Sequence, residues 1–132
     1  MLWYIGKLCN ELNNDKFGFM LPSKLAIPYI RDYQRIQDAA EYIEKSLVAN
    51  KEKQFILAPY IQDDHWMLLL FCLHESVIYV FDSLKKERKI RLTTPARTAF
   101  KLYVPGGVKR NNRKEFLWIH TEVECPQQEG GT

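Results

Sequence analysis

His65 and Asp82 are the two residues whose types and setting best suit acid–base work. His65 follows the polar Gln62-Asp63-Asp64 and stands ahead of an apolar run from Trp66 to Leu73. Asp82 closes a second run, Val77 to Phe81. The break between the runs, His74-Glu75-Ser76, is short enough for a hairpin, so the start of one strand should lie beside the end of the next. Imidazole and carboxylate would then meet at one edge of a sheet. A carboxylate that accepts from one ring nitrogen fixes the tautomer and frees the other nitrogen to work on a thiol. A thiol paired in this way ionises well below its free pKa of ~8.5. The same residues also fit a plainer role, His65 as a polar strand cap and Asp82 as the start of a turn before Ser83. Types and spacing alone leave both open.

The elements that would carry the pair are legible as periods. Ile5, Leu8, Cys9 and Leu12 recur at three and four, which predicts a helix over residues 1–14, broken by Asn13-Asn14-Asp15. Residues 17–22 read as an apolar loop, with Pro22 and Pro28 blocking a long helix. From Tyr33 to Ala49, apolar Tyr33, Ile36, Ala40, Ile43 and Leu47 alternate with charge at helical spacing. Three short apolar runs follow, 55–61, 66–73 and 77–81, whose continuity suits strands buried on both faces. Residues 85–91 read as a basic turn region, 95–102 as a short helix, 106–114 as a polar loop, and 116–123 as a last strand. Helices first and strands after them make an α+β domain.

Composition narrows the classes further. The chain has 132 residues, enough for one domain, with 46% hydrophobic and 27% charged residues, as in a folded globular protein. A net charge of +3 falls short of the footprint of a nucleic-acid binder, and the basic stretches 85–91 and 109–114 lack interleaved aromatics. No apolar run reaches the ~20 residues of a membrane span, and the first residues do not read as a signal peptide. Cys9, Cys72 and Cys125 form neither a disulfide framework nor a zinc pattern. Cys72 and His74, with His120 or Cys125, are the one conceivable metal set, and they lack the paired close spacings of such sites. Reduced thiols without an export signal predict an intracellular protein, in nucleus or cytoplasm.

Three short motifs carry a family likeness. His65-Trp66, then Val80-Phe81-Asp82-Ser83-Leu84, then Cys125-Pro126-Gln127-Gln128-Glu129-Gly130-Gly131-Thr132 resembles the ubiquitin-like-protein proteases, the SUMO (sentrin) protease family. In that family a His-Trp pair precedes a strand, Asp-Ser-Leu or Asp-Ser-Met follows, and Pro-Gln-Gln leads through a short loop to Asp-Cys-Gly. The His65 to Asp82 interval matches the family's, and residues 54–84 and 118–132 carry the likeness. The Leu2-Trp3 start and the Phe17-Gly18-Phe19 segment are similar to plant members.

The resemblance implies a partial papain-like cysteine protease fold, with helices packed on a central mixed sheet. The whole chain would be one partial catalytic domain, helical over 1–53 and carrying the sheet and active site over 54–132. It implies His65 as general base, Asp82 as its orienting carboxylate and Gln128 as the oxyanion donor, a role an amide can fill without changing charge. Trp66 would wall a tunnel that admits only a Gly-Gly tail, since a bulky flat ring excludes larger side chains. The implied partner is a ubiquitin-like modifier of SUMO type or its conjugates, with no cofactor and no metal. The family's nucleophilic Cys follows the second Gln by six residues, which falls two residues beyond Thr132. Cys125 lies ahead of the Pro-Gln-Gln turn and does not fill that place. Trp3, Tyr4, Leu8 and Leu12 start a helical face with no cap ahead of it, and the last eight residues form a loop, so both ends read as cut. The polypeptide as written is expected to be inactive and poorly stable, with a sheet face around Leu68 and Leu70 left without the nucleophile helix. The rival expectation is a catalytically dead, transposon-derived remnant or a protein that only binds a modifier.

Overall fold

The computed structural model describes residues 16–82, 89–103 and 113–121. In chain order the described elements are β1 (Phe17–Phe19), a 3-10 turn (Pro22–Lys24), α1 (Tyr33–Ala49), β2 (Phe55–Gln62), β3 (His65–Cys72), β4 (Val77–Phe81), α2 (Thr93–Tyr103) and β5 (Leu117–Thr121). The strands form one five-stranded sheet in the order β1-β2-β3-β4-β5. β2, β3 and β4 are antiparallel neighbours, whereas β1 pairs parallel with β2 and β4 pairs parallel with β5. A parallel neighbour cannot be reached through a tight turn, so each needs a crossover. α1 supplies the first and α2 the second, which makes the domain α+β with a mixed sheet.

α1 begins where Asp32 can cap it, its carboxylate accepting from the Arg35 backbone N–H at 3.1 Å. It buries Ala40, Ile43 and Leu47 of the stripe that helical spacing predicts, together with Ala39, whereas Tyr33 at the start of that stripe is exposed. It ends at Asn50, whose backbone and side-chain amides both donate to the Ser46 carbonyl. α2 tolerates Pro95 because it lies in the first turn, where the missing N–H has no intrahelical partner to lose. The two helices pack against each other.

The core lies on one sheet face. Ile56, Ala58 and Tyr60 of β2, Met67, Leu69 and Phe71 of β3, and Ile78 and Val80 of β4 are all buried. They join Ile43, Leu47, Leu92, Ala96, Ala99 and Phe100 in one cluster. Phe116 ties the sheet to α2, its ring edge-on to Phe71 at 5.4 Å and to Phe100 at 4.9 Å.

Three expectations need correction. β3 is not buried on both faces: Met67, Leu69 and Phe71 are sealed, while Leu68 and Leu70 are half-buried and Trp66 is 40% exposed. A continuous apolar run hides such alternation, because the sequence carries no polar residue to mark the second face. Residues 17–19 are not loop but an edge strand in register with Phe55, Ile56 and Leu57. Three residues are too few to show a period. Helices and strands interleave rather than follow one another, since both parallel pairings demand a helix between them. The helix expected over 1–14, the Ser83-Leu84 pair and the polar loop over 106–112 lie outside the described residues. Among the described residues no helix is long and apolar enough to cross a membrane.

Gly18 sits where β1 passes the end of α1. A Cβ there would come 2.4 Å from Asn50 Oδ1 and 2.6 Å from its Cγ. The Asn50 amide is held in place by its hydrogen bond to Ser46 O at 2.8 Å. Gly18→Ala is therefore expected to lower stability by about 1–3 kcal/mol, the usual range for overpacking. In an Asn50→Ala background, where the obstructing amide is gone, the same change should cost distinctly less. Urea melts of the four proteins measure this coupling, and an equal cost in both backgrounds would refute it.

Candidate active site

His65 is the first residue of β3, and the chain reaches it through a two-residue turn. Asp63 and Asp64 in that turn have φ of 53° and 64°, the left-handed backbone of the I′ class of hairpin turns. Asp adopts this region more readily than most side chains, though less freely than glycine. Gln62 and His65 close the hairpin as a cross-strand pair.

The carboxylate arrives through the register of β3 with β4. Leu68 lies opposite Phe81, so one further step along both strands puts Met67 across from Asp82. His65 is two residues from Met67 and shares its face, which makes His65 and Asp82 a diagonal pair, within reach for long side chains. The His65 Nε2–H donates to Asp82 Oδ1 at 2.5 Å. The His65 side chain is 17% exposed and that of Asp82 7%. Among the described residues nothing hydrogen-bonds Nδ1, so the ring is anchored through one nitrogen and offers the other. That arrangement can take up and return a proton at a reacting group beside Nδ1.

A polar bracket surrounds the pair. Gln62 is buried, and its Oε1 accepts from the Tyr60 O–H at 3.0 Å and from the Arg91 backbone N–H at 2.8 Å. Its Nε2 donates to the Lys89 carbonyl at 2.8 Å. The Arg91 guanidinium donates to Asp63 Oδ1 at 2.8 Å and to the Ile27 carbonyl at 3.2 Å. Burial, only partly offset by the nearby Arg91 charge, pushes the Tyr60 phenol up to about 12. A cavity of about 720 Å³ adjoins the bracket, lined in part by Lys89, Arg91, Trp118 and His120. Local sequence does not reveal this bracket, because Gln62 belongs to a polar break and Arg91 to a basic turn region. A polar residue at the end of an otherwise apolar strand was the available signal.

The remaining candidates stand apart. Trp66 alternates to the opposite face from His65 and is half-exposed. Gln128 lies outside the described residues, as do Cys9 and Cys125. Cys72 is at the far end of β3, about 23 Å from His65 at ~3.3 Å per residue. Its Sγ faces Glu75 Oε1 at 3.5 Å, and burial pushes the thiol up, the wrong direction for a nucleophile. His120 is exposed on β5, opposite Val80. The described residues hold no group of three or more metal-ligating side chains.

Over residues 22–131 the chain matches the model of a family described as the Ulp1 protease family, C-terminal catalytic domain. No curated protein matches the chain. Among solved structures, it is similar to the SUMO protease Ulp1 with its catalytic cysteine oxidised to a sulfinic acid, at TM-score 0.53 and 14% identity. That likeness covers 81% of this chain and 48% of the other. A second is the C-terminal Ulp1 protease domain in complex with Smt3, the yeast ortholog of SUMO, at TM-score 0.51 and 16% identity, covering 81% of this chain and 47% of that one. The chain thus spans about half the length of these structures, and at such identities the likeness establishes the fold.

Two consequences of burial can be measured. The Tyr60 phenol rises from 10.0 to about 12 on folding, so its contribution to stability is fully present below pH 10. Between pH 10 and 12 the unfolded chain gives up this proton first, and stability should fall by about 2–3 kcal/mol as pH rises. Urea melts across that range should lose most of this slope in Tyr60→Phe; an unchanged slope would assign it to other groups. Cys72 should alkylate far more slowly in the native protein than in urea at neutral pH. Peptide mapping after iodoacetamide reads this site by site, and equal rates in both states would contradict its burial.

Proposed function

The chain belongs to the Ulp1 protease family, and on that premise we propose that it is the His–Asp half of a cysteine peptidase active site acting on ubiquitin-like modifiers. The observation that carries the proposal is the His65 Nε2–Asp82 Oδ1 hydrogen bond, which leaves Nδ1 without a partner among the described residues. In this reading residues 1–132 are part of one catalytic domain, and the nucleophilic cysteine follows Gln128 in the residues beyond Thr132. The 132 residues alone are inactive as a peptidase.

The chemistry follows from the roles. His65 Nδ1 takes the proton of the cysteine thiol, and Asp82 stabilises the imidazolium that results. The thiolate attacks the carbonyl carbon of the last glycine of a Gly-Gly tail, and the oxyanion is met by a donor from the Gln128 amide. As the C–N bond breaks, His65 returns its proton to the leaving amine, giving a thioester. Water then attacks the thioester with His65 again as base, releasing the glycine carboxylate and the thiol. Trp66 forms part of the wall past which the tail is threaded. The modifier is of SUMO type, as in the Ulp1 domain bound to Smt3, and the protein works inside the cell.

A second reading rests on Cys72, the one thiol among the described residues, which lies at the far end of β3 from His65. In it, the same fold binds a modifier without cleaving it.

The deciding experiment uses a SUMO-type modifier ending in a Gly-Gly vinyl sulfone. A protein extended through the residues after Thr132 and carrying their cysteine should form a covalent adduct, and the 132-residue chain should not. Asp82→Asn should slow turnover of a Gly-Gly ester substrate by on the order of 10²–10⁴-fold, the span of general acid–base catalysis. Binding without any adduct in the extended protein would favour the second reading. Neither binding nor an adduct would remove both.

A further inference from the structure

We propose that Gln62 is a positioning residue for the His65–Asp82 pair, clamping the strand end before the imidazole to the segment that follows the carboxylate. Its catalytic meaning rests on the peptidase reading; its geometric claim does not.

The pair is exposed to slippage from both sides. His65 opens its strand, and the turn ahead of it consists of two non-glycine residues in left-handed backbone, a conformation that persists only when its surroundings hold it. Asp82 is the first residue past β4, where the chain leaves the sheet. The pair would lose its separation if the hairpin end opened and drew away from residues 89–91.

Gln62 addresses both. It is the residue paired across the hairpin from His65. It also holds the chain that returns after Asp82, taking the Arg91 N–H on Oε1 and giving its Nε2–H to Lys89 O. The Tyr60 hydroxyl occupies the second acceptor site of Oε1, so the amide has one orientation that satisfies its neighbours. Arg91, fixed by Gln62 through its backbone, reaches back with its guanidinium to Asp63 inside the turn. The result is a closed circuit: strand end, returning segment, turn, strand end. At 6% exposure the Gln62 amide cannot exchange its own partners for water, whereas the Arg91–Asp63 link that closes the circuit is exposed at Asp63 and adds less. Gln62→Leu, apolar and one bond shorter, would break its three side-chain hydrogen bonds at once. Gln62→Glu would keep both acceptor contacts and lose the donation to Lys89 O.

The test reads His65 directly. In ¹⁵N-labelled protein, the His65 ring signals are assigned with His65→Gln and compared with Asp82→Ala as the reference for a lost pair. At a temperature where circular dichroism shows native fold, Gln62→Leu should broaden the Nε2–H proton and move the ring shifts toward those of Asp82→Ala. Gln62→Glu should fall between, and it stands in if the Leu variant does not fold. In the extended protein with its cysteine, Gln62→Leu should lower kcat by about 10- to 100-fold, as sub-ångström to ångström misplacement does, with KM within about twofold. A lower melting temperature with unchanged ring signals would overturn the proposal and leave Gln62 a structural residue. Shifted ring signals in an extended protein that never turns over would keep the positioning role and defeat the peptidase reading instead.

Discussion

One hydrogen bond organises the His65 end of this sheet: the His65 Nε2–H donating to Asp82 Oδ1. It spans two strands, so it exists only because β3 and β4 keep a single register, with Leu68 opposite Phe81. A slip of one residue would carry every alternate side chain to the wrong face and part the imidazole from the carboxylate. What prevents the slip is the core. Met67, Leu69, Phe71, Ile78 and Val80 must all point under the helices, and each large apolar side chain buried there contributes about 1.5–3 kcal/mol. The register that buries the apolar set is the register that aligns the polar pair.

The ends of the sheet are treated differently from its middle. The centre of β2, β3 and β4 is sealed by aliphatic and aromatic packing and carries no buried charge. At the His65 end, burial continues but the groups become polar: Gln62 and Asp82 are both under 10% exposed. A buried amide and a buried carboxylate are tolerable only with partners, and the structure supplies them from Tyr60, Lys89, Arg91 and His65. Among the described residues, the buried polar side chains other than Ser46 gather at this end of the sheet.

Much of this was legible in the residues. The helical stripe from Tyr33 to Ala49 is strong enough to locate α1, because its positions Ala40, Ile43 and Leu47 are buried as the spacing requires. The hairpin between β3 and β4 followed from a short polar break, and it brought His65 and Asp82 to one edge. Less was legible where signals are short or symmetric. β1 has three residues and is a strand only because β2 offers it hydrogen-bonding groups. The half-buried second face of β3 was invisible, since Leu68 and Leu70 spell the same run as the buried Leu69. The bracket of Gln62, Arg91 and Asp63 joins residues 28 and 29 positions apart, beyond any local pattern.

By itself, then, the sequence determined what depends on near neighbours: the periods of α1 and the central strands, the reversal at His74–Ser76, and the motif order that marks the Ulp1 protease family. Tertiary structure decided what depends on pairing across distance: the parallel attachment of β1 and β5, which face of each strand is sealed, and the orientation of the His65 ring. The reason is physical. A chain's local preferences fix dihedral angles and periodicity, whereas which nitrogen of an imidazole is anchored depends on groups that meet only after the sheet has closed around them.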